Sequence, residues 1–168
     1  MANAQPDLNV KCLAFINRGE FLRTRFGEAA FDQILARLKP ETASTLRSSM
    51  AFQLAPLAAL VEVDLAIVNT FFSGDVAQAH QLSRFSLERD LTTIYRFLLQ
   101  FLSTTYVFSK CGYVWGKLAD KGTMTVEQTG PRTATVFLAG FNPINEVFCH
   151  VSRGAMLGTL DACGEKHG

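Results

Sequence analysis

Apolar residues recur every three or four positions over the first part of the chain, which is the spacing that places them on one face of an α-helix. Asn17 is a residue type that caps helices, and the apolar stripe behind it predicts a helix to about Phe26, ended by Gly27. The apolar stretch Leu8–Ile16 predicts a strand that leads into this helix. A second helix follows, and we expect Pro40 to end it, because proline cannot continue a helix. The apolar positions of that second helix are Phe31, Ile34, Leu35 and Leu38.

The middle of the chain predicts the core helices. Residues 41–53 are polar and are expected to form a loop, after which Pro56 suits the first position of a helix. Leu91–Leu102 is apolar on all sides, which predicts the central buried helix. Ser103 is suited to cap a further helix that ends at Gly122. The helix after Pro56 is expected to end at Gly74 and to turn inward Leu57, Val61, Leu65, Val68 and Phe72.

The period of the pattern changes late in the chain. Thr123–Thr129 and Arg132–Ala139 are rich in threonine and valine on either side of a Gly-Pro pair, which predicts a β-hairpin. An Asn-Pro pair then starts a last helix, Ile144–Cys163, in which Gly154 and Gly158 predict close packing against the sheet or a second subunit. We therefore expect an α+β fold in which a mostly helical layer packs on a small antiparallel sheet late in the chain.

Composition narrows the classes of function. The chain has 168 residues, and we assign 8–164 to one domain, with a disordered tail at 1–7 and a C-terminal tail at 165–168. Hydrophobic residues make up 48% and charged residues 18%, and a net charge of +1 argues against a nucleic-acid partner. The first residues have none of the features of a secretory signal. Glu62 and Asp64 interrupt the apolar run Leu54–Phe72, and charges at these positions argue against a membrane span. We expect a cytoplasmic protein with no cofactor.

Several strings resemble an uncharacterised bacterial domain family. Phe21–Phe31 is similar to its opening pattern FxRxRFGEEAW, Tyr95–Leu99 to its middle block, and Gly154–Gly158 to its last helix. Residues Ile34–Glu41, with Arg84, Phe85, Asp90 and Leu91, continue the likeness. That family is similar in layout to the haem nitric-oxide/oxygen-binding (H-NOX) domains, the vinyl-reductase-type ligand-binding domains and the small core subunits of the TRAPP vesicle tether. The resemblance implies an internal apolar pocket, frequent dimerisation and no catalysis.

Two departures from this group bear on function. H-NOX domains ligate haem through a histidine in the region that here is Leu102–Tyr106, yet no histidine lies between His80 and His150. Their Tyr-x-Ser-x-Arg haem clamp is replaced here by Phe137–Phe141, so haem binding of that type is not expected. Relatives continue with further strands after the last helix, so we expect the sheet to have an open edge, or to borrow a strand from Leu8–Ile16, another subunit or a partner.

The cysteines invite a zinc interpretation, which geometry disfavours. Cys149 and Cys163 on one helix lie about 21 Å apart at ~1.5 Å per residue, whereas zinc ligands must all lie within about 2.3 Å of the metal. His150 and His167 are the other candidate ligands. We expect free buried thiols and no metal, with zinc kept as an alternative by the likeness to vinyl-reductase-type domains.

Asp64 falls on the inward face of its helix, where a carboxylate needs a partner or a raised pKa. It is expected either to pair with Arg84, Arg89 or Arg96, which we favour, or to anchor a ligand. No phosphate loop, nucleophile elbow or other catalytic constellation is recognisable, so we expect no enzyme. The candidate pocket residues are Asp64, Leu65, Val68, Phe85, Tyr95, Leu98, Leu102, Tyr106 and Trp115.

Two hypotheses remain open for these residues. The first is a regulatory module, acting as a homodimer and through a protein partner, with an interior pocket for a small hydrophobic ligand or acyl chain. The second is an adaptor whose core is solid and which docks partners through a sheet edge or a helix face. Aromatic residues at helical spacing are more often plain core than pocket lining.

Overall fold

A computed structural model describes residues 8–91, 102–130, 133–141 and 145–164. Its first strand, β1 (Asn9–Lys11), pairs antiparallel with β2 (Leu54–Pro56), and Val10 lies opposite Ala55. On its other side Val10 forms a single bridge with Ala119. The predicted strand in Leu8–Ile16 is therefore confirmed for three residues, but it pairs with β2 and does not extend the late hairpin.

Helix α1 (Leu13–Phe26) begins four residues before the predicted cap. Asn17 is not a cap: it is buried inside the helix, and its amide donates to the Asp90 carboxylate at 2.8 Å. The tertiary contact fixes this side chain, which local propensity alone could not reveal. Gly27 ends the helix at φ +89°, as predicted.

The prediction of a loop at 41–53 was wrong in its first half. Helix α2 (Glu28–Leu35) ends before Pro40, and Pro40 is the first residue of helix α3 (Pro40–Ser48). A proline stops one helix and starts the next equally well, because its missing N–H is not needed in the first turn. The buried Thr42 and Leu46 hold α3 on the core.

Helix α4 (Leu57–Phe71) follows β2 directly, and Gly74 adopts φ +80° just beyond it. Asp75 caps a single 3-10 turn at Val76–Ala79, which continues as helix α5 (His80–Asp90). The predicted inward stripe of α4 is rotated: Val61 and Leu65 are half-buried. Its buried residues are Leu57, Leu60, Val63, Asp64, Ile67 and Val68.

The later elements match the predicted order. Helices α6 (Thr104–Ser109) and α7 (Cys111–Leu118) follow Ser103, whose side chain caps α6, and strands β3 (Thr123–Gly130) and β4 (Thr133–Ala139) form the predicted antiparallel hairpin. The Asn145 side chain caps helix α8 (Glu146–Ala162). Most of the predicted helix Leu91–Leu102 lies outside the described residues.

Helix α8 packs along α5, and its two glycines make that approach possible. A Cβ at Gly154 would overlap the backbone carbonyl of His80, and one at Gly158 would lie 3.1 Å from the Leu87 side chain. The close packing predicted for these glycines is confirmed, but the neighbour is α5 and not the sheet or a second subunit. The architecture is α+β, with a mostly helical layer and a small antiparallel hairpin late in the chain.

Candidate functional site

Asp64 is fully buried and paired with Arg18 of α1. Arg18 Nε donates to Oδ1 at 2.6 Å and Arg18 Nη2 to Oδ2 at 3.3 Å, and the two side chains are 4% and 0% exposed. Burial raises the pKa of Asp64, and the neighbouring guanidinium opposes that rise. The favoured prediction of an arginine partner is confirmed, but the partner is Arg18 and none of Arg84, Arg89 or Arg96.

Arg18 is not among the predicted partners of Asp64, although the sequence carries a signal for its burial. Arg18 follows Phe15 by three positions and precedes Leu22 by four, and both phenylalanine and leucine are buried. An arginine on the same helical face as two core residues must have a partner inside the fold.

Leu65 and Val68 lie on different faces of α4. Val68 is buried in the core, whereas Leu65 lines an open surface groove of about 460 Å³ between α4 and the segment joining α2 to α3. This volume lies within the range of small-ligand sites. The groove is lined by Arg37, Leu38, Lys39, Ala58, Val61, Glu62, Leu65, Ala66 and Asn69.

The groove combines an apolar floor with a cationic rim. Leu38, Val61 and Leu65 give the floor, and the exposed Arg37 and Lys39 give the rim. An apolar body with an anionic head is the ligand chemistry that matches this lining.

Glu62, in the same groove, has a structural role. Its carboxylate accepts the backbone N–H of Lys39 at 2.7 Å and the hydroxyl of Thr42 at 2.9 Å. These bonds satisfy donors at the start of α3 and fix the wall of the groove against α4. Glu62 therefore holds α3 in place, and its Oε2 also lies 4.0 Å from Lys39 Nζ, with which it forms an ion pair at the groove.

Phe85 belongs to an aromatic cluster at the other end of α4. Its ring meets Phe21 edge to face at 5.4 Å, and Phe26 stacks on Phe71 at 4.3 Å. Phe85 also lines a second, smaller groove, of about 260 Å³, whose other lining residues are Arg25, His80, Gln81, Arg84 and Glu88.

Trp115 is 8% exposed and packs in a third place. Its indole N–H donates to the Lys121 carbonyl at 3.0 Å, and its ring contacts Phe141 and Phe148. This cluster joins α7 to α8 and to the residues after β4. Trp115 therefore packs as an ordinary core residue, which is the alternative to lining a pocket.

The remaining predicted residues do not complete one pocket in the described part of the chain. Leu102 and Tyr106 are 41% and 51% exposed, and Tyr95 and Leu98 lie outside the described residues. The structure brings Asp64 and Val68 together in the core and places Leu65, Phe85 and Trp115 apart. An interior pocket that depends on Tyr95 and Leu98 stays a prediction.

The histidines within the described residues lie near the surface. His80 Nδ1 is 2.7 Å from the Ala77 carbonyl oxygen, and His150 lies one turn from Glu146, with its side chain 24% exposed. Both residues are half-buried. Of the four free cysteines, Cys12 is buried and Cys149 is exposed, so the expectation of buried thiols holds for Cys12 and not for Cys149.

Across the described ranges, no helix combines the length and apolarity needed to cross a bilayer. No known family model matches the sequence, and no curated protein matches it.

The fold, in contrast, has clear structural neighbours. The Fe(II) unliganded H-NOX protein from K. algicida is similar with a TM-score of 0.66 at 14% identity, over 92% of this chain and 83% of that chain. An alanine-to-glycine mutant of the same protein gives a TM-score of 0.68 at 12% identity, with the same coverage. The chain therefore has an H-NOX-like α+β fold.

Proposed function

We propose that this protein is a non-enzymatic regulatory module that binds a small ligand with an apolar body and an anionic head. The observation that carries the proposal is the H-NOX-like fold, which extends over 92% of the chain and suits a ligand-binding sensor at a coarse level. The four free thiols suit a reducing cytoplasm, where we expect the protein to act as a homodimer and through a protein partner.

The groove beside α4 is the site we assign to this ligand. Leu65, one of the residues expected to bind the ligand, lines it, and its size suits an acyl chain or a compact aromatic molecule. Arg37 at the rim would pair with a carboxylate, sulfonate or phosphate. Lys39, whose Nζ lies 4.0 Å from Glu62 Oε2, would add a second cation beside it.

Haem of the histidine-ligated type does not fit the described residues. A haem iron needs an axial side chain facing an apolar cavity. His80 lies in a surface groove beside Arg25 and Arg84, and the His150 side chain is 24% exposed, one helical turn from Glu146. These placements support a ligand other than haem.

Native mass spectrometry of freshly purified protein tests the proposal directly. A non-covalent adduct of a few hundred daltons is the expected result, and the same spectrum reports whether the protein is a dimer. A Soret band in the absorption spectrum would overturn the exclusion of haem.

A dye assay locates the site. Anilinonaphthalene sulfonate has an apolar body and an anionic head, so we expect it to fluoresce on binding and to be displaced by dodecanoate. Ala66→Trp would fill the groove and abolish binding, whereas Ala29→Trp, at an exposed helical position, would not. Arg37→Ala should weaken binding, and the matched variant Arg47→Ala should leave it unchanged. Undiminished binding by Ala66→Trp would reject the groove as the site.

An adaptor function is the second candidate, and one surface favours it. Met50, Phe52 and Leu54 are 57%, 73% and 53% exposed, next to the outer edge of β2. Exposed apolar side chains beside a strand edge are a docking feature. If the purified protein carries no ligand and binds no anilinonaphthalene sulfonate that dodecanoate displaces, the adaptor explanation gains over the ligand-binding one.

A further inference from the structure

Four side chains form a stripe on the outer face of α6 and α7: Tyr106, Lys110, Tyr113 and Lys117. Lys110, which joins the two helices, has helical dihedral angles (φ −93°, ψ −3°), so the helical path is nearly continuous. At about 100° per residue, the four positions fall within an arc of roughly 60°. All four residues are exposed, and we call them the Tyr–Lys stripe.

Each lysine of the stripe lies over the tyrosine one turn before it. Lys110 Nζ is 5.1 Å from the Tyr106 ring centroid, and Lys117 Nζ is 5.2 Å from that of Tyr113. These cation–π contacts hold the ammonium groups beside aromatic rings at the surface. From Leu102 to Ala119 the sequence contains no aspartate or glutamate, so this segment carries positive charges only.

Apolar side chains flank the stripe. Leu102, Val114 and Leu118 are 41%, 50% and 38% exposed, and no residue of α6 is buried. Trp115 points the other way, into the core. Helix α7 thus packs on the protein through Trp115, and the outer face of α6 and α7 exposes tyrosine, lysine and aliphatic side chains to solvent.

From this arrangement we infer that the Tyr–Lys stripe docks the protein on an anionic lipid bilayer. Tyrosine is favoured at membrane–water interfaces, and lysine extends its charge to the headgroups while its stem stays in the apolar layer. Lys110 and Lys117 complement anionic headgroups, and the flanking aliphatic side chains would enter the boundary of the acyl chains.

Two other partners fit less well. Nucleic-acid binding relies on many phosphate contacts, whereas the stripe has two cations and the chain a net charge of only +1. An acidic protein would need pockets for protruding side chains such as Tyr113, which is 68% exposed. A bilayer adapts to such side chains without a matching pocket. This inference does not depend on the groove, since vesicle binding and dye binding are separate measurements.

Vesicle co-sedimentation tests the inference with the full chain. The probe is phosphatidylcholine vesicles in which about one third of the lipid is phosphatidylglycerol, compared with pure phosphatidylcholine vesicles. We expect binding to the anionic vesicles only, weakening with added salt. Lys110→Gln combined with Lys117→Gln should weaken it about 25-fold, at about fivefold per lysine. The matched control, Arg47→Gln with Arg153→Gln, removes the same charge from exposed positions elsewhere.

Tyr106→Ser combined with Tyr113→Ser leaves the charge unchanged and tests insertion. We expect this variant to bind anionic vesicles more weakly than the wild type, with an unchanged circular dichroism spectrum. Three results would overturn the inference: no binding of the wild type to anionic vesicles, equal loss in the arginine control, or full binding by the tyrosine variant.

Discussion

The pair of Arg18 and Asp64 gives the most demanding test of the structure. Both side chains are almost completely removed from solvent and joined by two hydrogen bonds. Replacing one partner leaves the other charge buried and unpaired, which costs about 3–5 kcal/mol. Replacing both with apolar side chains of similar size is expected to be nearly neutral or stabilising, because the desolvation penalty disappears with the charges.

The two single variants should differ from each other. In Asp64→Leu, Arg18 keeps its charge, because a guanidinium is not deprotonated in proteins. In Arg18→Met, the carboxyl of Asp64 can take up a proton, because burial already raises its pKa and the opposing cation is gone. A raised pKa in the folded state means that stability is present at low pH and lost as pH rises above the ordinary carboxyl range. Arg18→Met should therefore regain stability on acidification, and Asp64→Leu should not.

Urea unfolding followed by fluorescence measures these effects. Trp115 is the single tryptophan and is 8% exposed, so its emission reports the loss of its packing on Phe141 and Phe148. Glu28→Leu is the matched control, because Arg23 Nε also donates two hydrogen bonds to the Glu28 carboxylate, at 2.9 and 3.2 Å. That pair is exposed and is expected to contribute about 1 kcal/mol or less to stability. A double variant as unstable as its singles, or a single variant that costs no more than the control, would refute the reasoning.

Three further predictions concern packing, capping and titration. Gly154→Ala should destabilise the protein strongly, because the new Cβ would overlap a backbone carbonyl of α5. In Gly116→Ala the new Cβ meets no atom within 4 Å, so this variant should stabilise α7 by up to about 1 kcal/mol. Thermal melting distinguishes the two variants. Glu62→Ala removes the acceptor for two donors at the start of α3 and should cost about 0.5–2 kcal/mol in urea unfolding, and an unchanged midpoint would contradict its capping role. Hydrogen bonds from Asn9, first from its side-chain amide and then from its backbone N–H, lower the pKa of Asp120. The stability that this contact contributes is therefore present at pH values above the ordinary carboxyl pKa and is lost as the pH falls. Carbon NMR should show a pKa for Asp120 that returns toward its ordinary value in Asn9→Ala.

The sequence predicted the elements whose signals are local. The hairpin, the cap at Ser103 and the glycine after α1 depend on residues within a few positions of each other, and all were confirmed. Pro40 shows the limit of such signals, because the same residue ends a helix or begins one, and only the burial of Thr42 and Leu46 decides.

The candidate site was harder to predict, because it depends on the orientation of α4. Helical spacing identified an apolar helix, but a rotation of part of a turn decides whether Leu65 faces the core or a groove. The partner of Asp64 lies 46 residues away, and no local pattern links the two positions. Long-range pairing of this kind is set by packing, which periodicity does not contain.

The contacts of β1 have a consequence for folding while the chain is being synthesised. Asn9 donates to both carboxylate oxygens of Asp120 across 111 residues, and Val10 bridges Ala119. At a synthesis rate of about 5–20 residues per second, the first strand waits roughly 6–22 s for this partner to be added. During that interval its free edge is open to other strands, so the ribosome-bound chain has a period in which a chaperone or early pairing with β2 would protect β1 from misassembly.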